Sequence, residues 1–270
     1  MVVLTKQEQI ARSKLCLPLD VDSSAKALSL VRELRDYVGI YKIGFELVTN
    51  VLGEEGVNII KLIKNEDVEI FLDMKYNDIP NTAENAAKAA SKLGVYMFNV
   101  HASGLRKMLT DALKGAREGA KLYKTRLPKV LAVTMLTSID DIIMNEQMRI
   151  PGPVSEQVVH YANMANDVGL DGVVCAAAEL YLLKQQKNLK PDFMYVTPGI
   201  QAVGGVVGAD QSKDRIFTPG NAIKYGSSIL VAGRTITKVE DSITKKLIPA
   251  TPDEMRKNAY GILQDMAKNL

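Results

Sequence analysis

Cysteine and histidine are scarce in this sequence, with two residues of each type among 270. Cys16 and Cys175 lie far apart in apolar runs and lack the spacing of metal ligands. We therefore expect buried thiols in a chain that works in the reducing cytoplasm. Two histidines leave few ligands for zinc or iron, so a site for either metal is not expected.

Long hydrophobic runs and a strong net charge are absent as well. No apolar run reaches the roughly eighteen residues that a membrane-spanning helix requires. The opening residues MVVLTKQEQIARSK have no basic region ahead of a long apolar one, so we do not expect a signal peptide. The net charge is only +3 and the basic residues are scattered, so neither nucleic acid nor a membrane is an expected partner.

The sequence does contain a regular alternation of two kinds of segment. Short, β-prone apolar runs predict eight strands: Lys14–Val21, Val38–Glu46, Val68–Lys75, Tyr96–Ala102, Pro128–Leu136, Gly172–Ala177, Phe193–Gly199 and Ser228–Thr235. Segments with helical periodicity predict the helices that separate and follow them: Ser24–Tyr37, Val48–Asn65, Ile79–Leu93, Ser103–Lys121, Val154–Val168, Ala178–Asn188, Pro219–Tyr225 and Pro252–Lys268. A short leading helix is also expected, because Thr5 and Glu8 have the spacing of a capping box.

This alternation predicts the fold. Strict β-α order calls for a parallel sheet, and eight units in about 250 residues favour a closed barrel over an open doubly wound sheet. No linker, low-complexity run or fixed-period repeat divides the chain. We therefore expect an α/β protein: a single (β/α)8 TIM barrel domain over residues 1–270, with a short N-terminal helix.

The third predicted strand carries the densest group of charged residues, within the stretch VEIFLDMKYNDIPNT at positions 68–82. Strand side chains alternate between two faces, so Asp73 and Lys75 should share one face. Asp78 falls just past the strand, and Pro80 begins the next helix. Two carboxylates about 4 Å apart repel by roughly 4 kcal/mol at an effective dielectric constant near 20, unless a cation lies between them. The stretch is therefore a candidate catalytic site; the alternative is a structural salt bridge with Asp78 as a helix N-cap.

Other predicted strands also end in polar residues, as the active site of a (β/α)8 barrel requires. Asp20 ends the first strand and Lys42 lies at the polar end of the second. Thr137 follows the fifth strand, and Gly233 and Arg234 end the eighth. Lys42 by itself would be interpreted as a surface lysine. Five strands that end in this way predict a functional site at the carboxyl-terminal face.

The predicted loop after the seventh strand, from Gly199 to Phe217, is longer than most connections. Such loops are often lids. In barrels the loops after the seventh and eighth strands form the usual phosphate site. The guanidinium of Arg234 suits a dianion, and Gln211 in the long loop could close over it. The alternative is a surface arginine beside a flexible loop.

Eight motifs give the sequence a specific resemblance. They are LDVD, YKIGFEL, FLDMKYNDIPNT, NVHASG, VTMLTS, GLDGVVCAA, VTPGIQ and VAGRTIT. Through them the chain resembles the orotidine 5′-monophosphate decarboxylase family from about Leu15 to Thr237, and the D-x-K-x-x-D-I-P-N-T core of the third motif is highly specific. The chain departs from the family pattern at Asn77, Gln201 and Thr235, where histidine, arginine and proline are common.

The resemblance implies a lyase of pyrimidine biosynthesis that converts orotidine 5′-phosphate to uridine 5′-phosphate and CO₂ without a metal or other cofactor. It implies a charged tetrad of Lys42, Asp73, Lys75 and Asp78 in a homodimer, with Asp78 donated by the partner subunit. By the same resemblance, Lys75 delivers a proton to C6 of the pyrimidine and Asp73 crowds the departing carboxylate. The implied substrate-binding residues are Asp20, Lys42, Thr82 of the partner subunit, Thr137, Gln211, Gly233 and Arg234.

Two other functions stay open at this point. A magnesium-dependent decarboxylase or aldolase of sugar phosphates shares the D-x-K-x-x-D pattern but adds an acidic metal ligand near the second strand. Here Lys42 occupies the inward position, although Glu46 lies just beyond it. A non-catalytic nucleotide-binding relative is the other alternative, and an intact tetrad argues against it, because such a protein has no need of Lys75.

Overall fold

Eight parallel strands close into a barrel in this computed structural model, which describes residues 2–54, 58–200, 217–241, 243–244 and 246–270. Neighbouring strands follow the order of the chain, and β1 pairs with β8 to close the sheet. The strands are β1 (Leu15–Pro18), β2 (Ile40–Gly44), β3 (Glu69–Tyr76), β4 (Met97–His101), β5 (Lys129–Val133), β6 (Gly172–Val174), β7 (Met194–Pro198) and β8 (Ile229–Val231). The predicted (β/α)8 barrel is confirmed.

Helices surround the barrel and precede it. Those within the described ranges are α1 (Lys6–Lys14), α2 (Ser24–Leu34), α3 (Phe45–Val51), α4 (Ile59–Lys64), α5 (Pro80–Lys92), α6 (Leu105–Tyr123), α7 (Asp141–Glu146), α8 (Val154–Asp167), α9 (Leu180–Lys184), α10 (Pro219–Lys224), α11 (Arg234–Thr237) and α12 (Pro252–Ala267). The predicted capping box of Thr5 and Glu8 starts α1. None of these helices is long and apolar enough to cross a membrane.

The structure corrects the prediction of one helix over Val48–Asn65. The chain instead turns into α3 at Phe45, directly after β2, and starts a separate helix, α4, after Asn58. The side chain of Asn58 accepts a hydrogen bond from the backbone N–H of Lys61, which is the N-cap contact that opens a new helix. The second strand is correspondingly shorter than predicted.

Two apolar layers hold the fold together. The barrel interior is filled by inward side chains from seven strands: Cys16, Ile40, Phe71, Met97, Leu131, Val196, Ile229 and Val231. A larger cluster lies between the strands and the helices and includes Tyr41, Leu72 and Phe98. Each such buried side chain contributes about 1.5–3 kcal/mol relative to exposure. The filled interior leaves the carboxyl-terminal mouth of the barrel as the place for a cleft.

Helices α5 and α6 pack more closely than the other helix pairs that flank the barrel. Small residues make this possible, because Gly115 and Gly119 of α6 face the backbone of α5. A Cβ added at Gly115 would overlap the carbonyl oxygen of Glu84, and one at Gly119 would lie 2.6 Å from that of Lys88. The close contact fixes α5, and with it the segment that joins β3 to this helix.

A small sheet follows the barrel and was not predicted from the sequence. Strands β9 (Lys238–Glu240) and β10 (Leu247–Pro249) pair in antiparallel fashion between α11 and α12. Each strand has only three residues, too short for the periodicity on which the strand predictions depended. The hairpin lies beside the carboxyl-terminal end of β8 and borders a cavity next to Arg234.

Candidate active site

Strand β3 brings Asp73 and Lys75 to the carboxyl-terminal mouth of the barrel. Its pairing with β4 is regular at Phe71 and Leu72 and shifts before Tyr76. Within this irregularity Lys75 has a φ of 46°, in the left-handed region that few residues with a Cβ adopt. Irregular strand pairing of this kind commonly re-orients a side chain next to an active site.

Four charged side chains form a continuous line across the mouth. Asp20 Oδ1 lies 3.5 Å from Lys42 Nζ, which lies 3.1 Å from Asp73 Oδ2. The same Oδ2 atom lies 2.8 Å from Lys75 Nζ. The side chains of Asp73, Lys42 and Lys75 are only 9%, 14% and 24% exposed. One carboxylate oxygen therefore lies between two largely buried ammonium groups.

The charges of this line stabilise one another. Burial acts to raise the pKa of Asp73, but Lys42 and Lys75 outweigh it and hold this pKa below its ordinary value. Burial likewise acts to lower the pKa of Lys42, but the carboxylates of Asp73 and Asp20 hold it above its ordinary value. Asp73 and Lys42 are therefore both charged at neutral pH.

Asn99 is a polar residue that the sequence reasoning did not assign to the site. It lies on β4 with no exposed surface. Its side-chain nitrogen donates to Asp73 Oδ1 at 2.6 Å, and its side-chain oxygen accepts from the backbone N–H of Lys75 at 2.7 Å. The signal was an asparagine within an otherwise apolar strand, because a buried amide requires partners.

Two cavities meet at the line of charges. One, of 220 Å³, is lined by Asp20, Lys42 and Gly199, and by residues 233–235. The other, of 300 Å³, is lined by Asp73, Lys75 and Thr137 and by apolar residues that include Val133, Leu136 and Val174. Both include Lys42, Pro198 and Val231 in their walls. Together they make one cleft with an apolar end beside Lys75 and a more polar end beside Arg234.

Two further side chains flank Lys75. The Nζ atom of Lys75 lies 5.2 Å from the centroid of the Phe45 ring, an arrangement in which an aromatic face attracts a cation. His101, at the end of β4, is partly buried, and this burial together with the charge of Lys75 lowers its pKa. His101 is therefore neutral at pH 7 and adds no further positive charge beside Lys75.

The predicted phosphate-binding residues lie at the other end of the cleft. Gly233 lies two residues after β8 as the N-cap residue of α11, and a Cβ at this position would lie 2.8 Å from the ring of Pro18. Arg234 is exposed and lines the cavity wall. The hydroxyl of Thr235 donates to the carbonyl oxygen of Ile200 at 2.8 Å, which links α11 to the segment after β7. Gln211 and the lid predicted with it lie outside the described residues.

Asp78 and Thr82 stay apart from the line of charges. Both are exposed, and Asp78 Oδ1 accepts a hydrogen bond from the N–H of Ile79 at 2.7 Å. Ile79 itself is the N-cap residue of α5, so the alternative of Asp78 as a helix N-cap is wrong. In the part of the chain that the structure describes, no ion pair joins Asp78 to Lys42 or Lys75.

Comparison with known proteins shows the family. The sequence model of the orotidine 5′-phosphate decarboxylase / HUMPS family matches residues 13–245. The chain belongs to this family. It is 41% identical over 233 residues to the orotidine 5′-phosphate decarboxylase of Syntrophotalea carbinolica, an alignment that covers 86% of this chain and 91% of that protein. The corresponding protein of Heliobacterium modesticaldum is 38% identical over 227 residues, covering 84% of this chain and 90% of its own length.

A solved structure of the orotidine 5′-phosphate decarboxylase / HUMPS family gives the same result for the fold. The crystal structure of orotidine 5′-phosphate decarboxylase from Lactobacillus acidophilus superposes with a TM-score of 0.73 at 33% sequence identity. The superposition covers 93% of this chain and 98% of that one. The similarity therefore extends over nearly the whole barrel rather than one part of it.

The geometry also bears on the metal-dependent alternative. Glu46, the acidic residue that could serve as a metal ligand, lies in the first turn of α3 and is exposed. It lines neither of the two cavities, whereas Lys42 lines both. Within the described ranges, no three His, Cys, Asp or Glu side chains are grouped as a metal site requires.

Proposed function

We propose that this chain converts orotidine 5′-phosphate to uridine 5′-phosphate and CO₂, the activity named for its relatives. The observation that carries the proposal is the position of Asp73 Oδ2, which lies between the ammonium groups of Lys42 and Lys75. The cleft around this group has an apolar end and an end with Arg234. These two ends suit a flat pyrimidine and a phosphate.

The chemistry of decarboxylation explains the use of Lys75. Loss of CO₂ from C6 of the pyrimidine leaves an electron pair on carbon. A fixed ammonium group stabilises this charge and then donates a proton to the same carbon, which forms the C6–H bond of the product. Lys75 lines the cavity beside Thr137, so its ammonium group borders the space that the pyrimidine would fill.

Asp73 has two roles in this proposal. It keeps Lys42 charged and holds Lys42 and Lys75 in place, and it puts a negative charge next to the position of the substrate carboxylate. Binding energy from the remote phosphate offsets the unfavourable contact between the two carboxylates. We assign that phosphate contact to Gly233 and Arg234, together with Gln211.

The remaining substrate contacts follow from the order of residues along the cleft. Asp20 and Lys42 lie between the phosphate end and Asp73, which suits hydrogen bonds to the ribose hydroxyl groups. Thr137 lines the apolar end and suits a polar atom of the pyrimidine ring. Among the residues that the structure describes, this assignment uses each charged residue that lines the two cavities.

We propose that Asp78 and Thr82 complete the site of a partner subunit in a homodimer. Both lie on the exposed segment between β3 and the first turn of α5, away from their own line of charges. Ile79, next to Asp78 in the chain, is 66% exposed, and Leu105 is 57% exposed. A Cβ at Gly104 would lie 3.2 Å from Asn77 Oδ1, so the segments that carry Ile79 and Leu105 are close in space. A self-complementary two-fold interface would bury them.

Mixed dimers test this exchange. Lys75→Ala and Asp78→Asn homodimers should each be nearly inactive, because every site carries one defect. In a mixed dimer of the two variants, one site carries both defects and the other carries neither. Random mixing makes about half of the dimers mixed, so about a quarter of the wild-type activity should return. No recovery in mixtures proven to contain mixed dimers would show that Asp78 acts in its own subunit.

The reaction itself is tested with the purified chain and orotidine 5′-phosphate. We expect the loss of substrate absorbance and the release of CO₂ at the same rate before and after prolonged treatment with EDTA. Activity lost to EDTA and restored by Mg²⁺ would favour the sugar-phosphate enzyme instead. Binding of the nucleotide without turnover would favour the non-catalytic relative, and it would contradict the proposal.

We also propose that residues 1–270 act as one barrel domain in the cytoplasm. Helix α12 contacts α1, α2, α10 and α11, so the two ends of the chain pack on the same side of the barrel. This contact supports a single unit. Cys16 and Cys175 are free and buried, which suits a reducing compartment.

A further inference from the structure

We infer that Asn99 is a positioning residue that fixes both Asp73 and Lys75 for the reaction. The inference rests on the proposed function of the cleft. Asn99 is fully buried on β4 and makes one hydrogen bond to each of the two residues. Its side chain lies behind Asp73 and is absent from the lining of the cavity that holds Lys75.

The first bond determines which way the carboxylate of Asp73 faces. The amide of Asn99 donates to Oδ1 at 2.6 Å, whereas both lysines contact Oδ2. The two oxygens therefore have separate partners. Without the amide of Asn99, the carboxylate of Asp73 could rotate about its Cβ–Cγ bond. Lys42 and Lys75 would then no longer share one oxygen. A hydrogen bond to a charged group is stronger than one between neutral groups, and it restrains that rotation.

The second bond determines the backbone of Lys75. Lys75 has a φ of 46°, and left-handed backbone at a residue with a Cβ is strained and persists only where the surroundings enforce it. The side-chain oxygen of Asn99 accepts the N–H of Lys75 at 2.7 Å, in the irregular part of the β3–β4 pairing. The same amide thus enforces the conformation that directs Lys75 Nζ to Asp73.

Two variants separate these bonds. Asn99→Ala removes both. Asn99→Asp keeps an oxygen that can accept the N–H of Lys75, but it replaces the donor to Asp73 with a second carboxylate. If Asn99 positions the reacting groups, kcat should fall by about 100-fold in Asn99→Ala, as expected for a displacement near 1 Å. KM for orotidine 5′-phosphate should change by less than about threefold, since the phosphate contacts stay intact.

Asn166→Ala is the matched control. Asn166 likewise donates one bond and accepts one, because it donates to a backbone acceptor, the carbonyl oxygen of Asn188, at 3.0 Å and accepts from the N–H of Lys190 at 3.0 Å. It lies at the end of α8 that leads to the amino-terminal end of β6. Its replacement should lower stability without changing kcat per folded site.

A double-mutant cycle with Asp73→Asn distinguishes positioning from a merely structural role. If Asn99 acts through Asp73, Asn99→Ala should change kcat much less in the Asp73→Asn background than in the wild type. Equal fold-changes in both backgrounds would overturn the inference. An Asn99→Ala protein that keeps more than about half of the wild-type kcat would also overturn it, since loss of such positioning should lower kcat by about 100-fold.

A measurement without substrate keeps this inference separate from the proposed function. The carboxyl carbon of Asp73, followed by ¹³C NMR in labelled protein and assigned with Asp73→Asn, should titrate at higher pH in Asn99→Ala than in the wild type. The Asn99→Asp variant should show the largest increase. An unchanged titration would overturn the role of Asn99. An inactive wild type with the expected titration would instead refute the proposed function alone.

Discussion

Replacing Asp73 with asparagine measures how much the carboxylate between Lys42 and Lys75 contributes to the stability of the protein. The change keeps the size of the side chain and removes the negative charge between Lys42 and Lys75. At about 3 Å and an effective dielectric constant near 20, each lysine–carboxylate attraction is worth about 5 kcal/mol before desolvation is counted. Removal of one partner from a buried pair costs about 3–5 kcal/mol net. Because Lys75 is 24% exposed, we expect a loss at the lower end, about 3 kcal/mol.

The assay is urea unfolding at pH 7 and one fixed protein concentration, with Asp167→Asn as the control. Asp167 makes an ion pair of similar length, 2.9 Å to Arg106, but these side chains are 45% and 60% exposed. Loss of this exposed pair should cost less than about 1 kcal/mol. Fixed concentration is needed because, in the proposed homodimer, stability would depend on protein concentration. A D73N protein that loses no more stability than D167N would refute the reasoning.

The stability gap between the wild type and D73N should also depend on pH. Burial acts to raise the pKa of Asp73, yet Lys42 and Lys75 hold this pKa below 3.8. The contribution of Asp73 to the free energy of unfolding is therefore present above pH 3.8 and is lost as pH falls through the folded pKa. Lys42 has a raised pKa, so its contribution is complete below 10.5 and is lost as pH rises through the folded pKa. The gap should therefore be flat from about pH 5 to pH 9 and shrink outside this window.

Three further substitutions test other parts of the account. Arg234→Ala should lower kcat/KM for orotidine 5′-phosphate at least about tenfold more than for phosphate-free orotidine, because it removes a charge-assisted contact with the phosphate. Equal losses on both substrates, or the same pattern in an Arg106→Ala control, would show that Arg234 has a structural role and does not bind the phosphate. Gly115→Ala should lower the free energy of unfolding by about 1–3 kcal/mol, because its Cβ would overlap the carbonyl oxygen of Glu84. Gly261→Ala, with open space around the Cβ in α12, should instead stabilise the protein by about 0.5–1 kcal/mol in the same unfolding assay.

The barrel could be predicted because its signal is repeated eight times. Each strand is a short apolar run with a helical segment after it, and errors of up to four residues at the strand ends do not change the order. The polar residues at the strand ends were equally visible. Asp20, Lys42, Asp73 and Lys75 could be predicted from strand direction and side-chain alternation, and the structure brings all four into one line.

The hydrogen bonds that support this line could not be predicted in the same way. The partnership of Asn99 with Asp73 and Lys75 depends on the shifted pairing of β3 with β4 and on the left-handed backbone of Lys75. Strict alternation of side chains along a strand predicts neither the shifted pairing nor the left-handed backbone. The break between α3 and α4 was missed for a related reason, because the N-cap contact that begins α4, accepted by the side chain of Asn58 from the N–H of Lys61, leaves no mark on the apolar pattern.

The substitution Lys75→Ala tests the central claim most directly, because Lys75 is the proposed proton donor. In steady-state assays with orotidine 5′-phosphate, kcat should fall by at least about 10²-fold, the usual contribution of a general acid. Lys88→Ala, which removes the Lys88–Glu118 pair on the outer helices, should keep the wild-type rate. A folded Lys75→Ala protein that keeps more than about one per cent of the wild-type kcat would contradict the claim that this lysine carries the reaction.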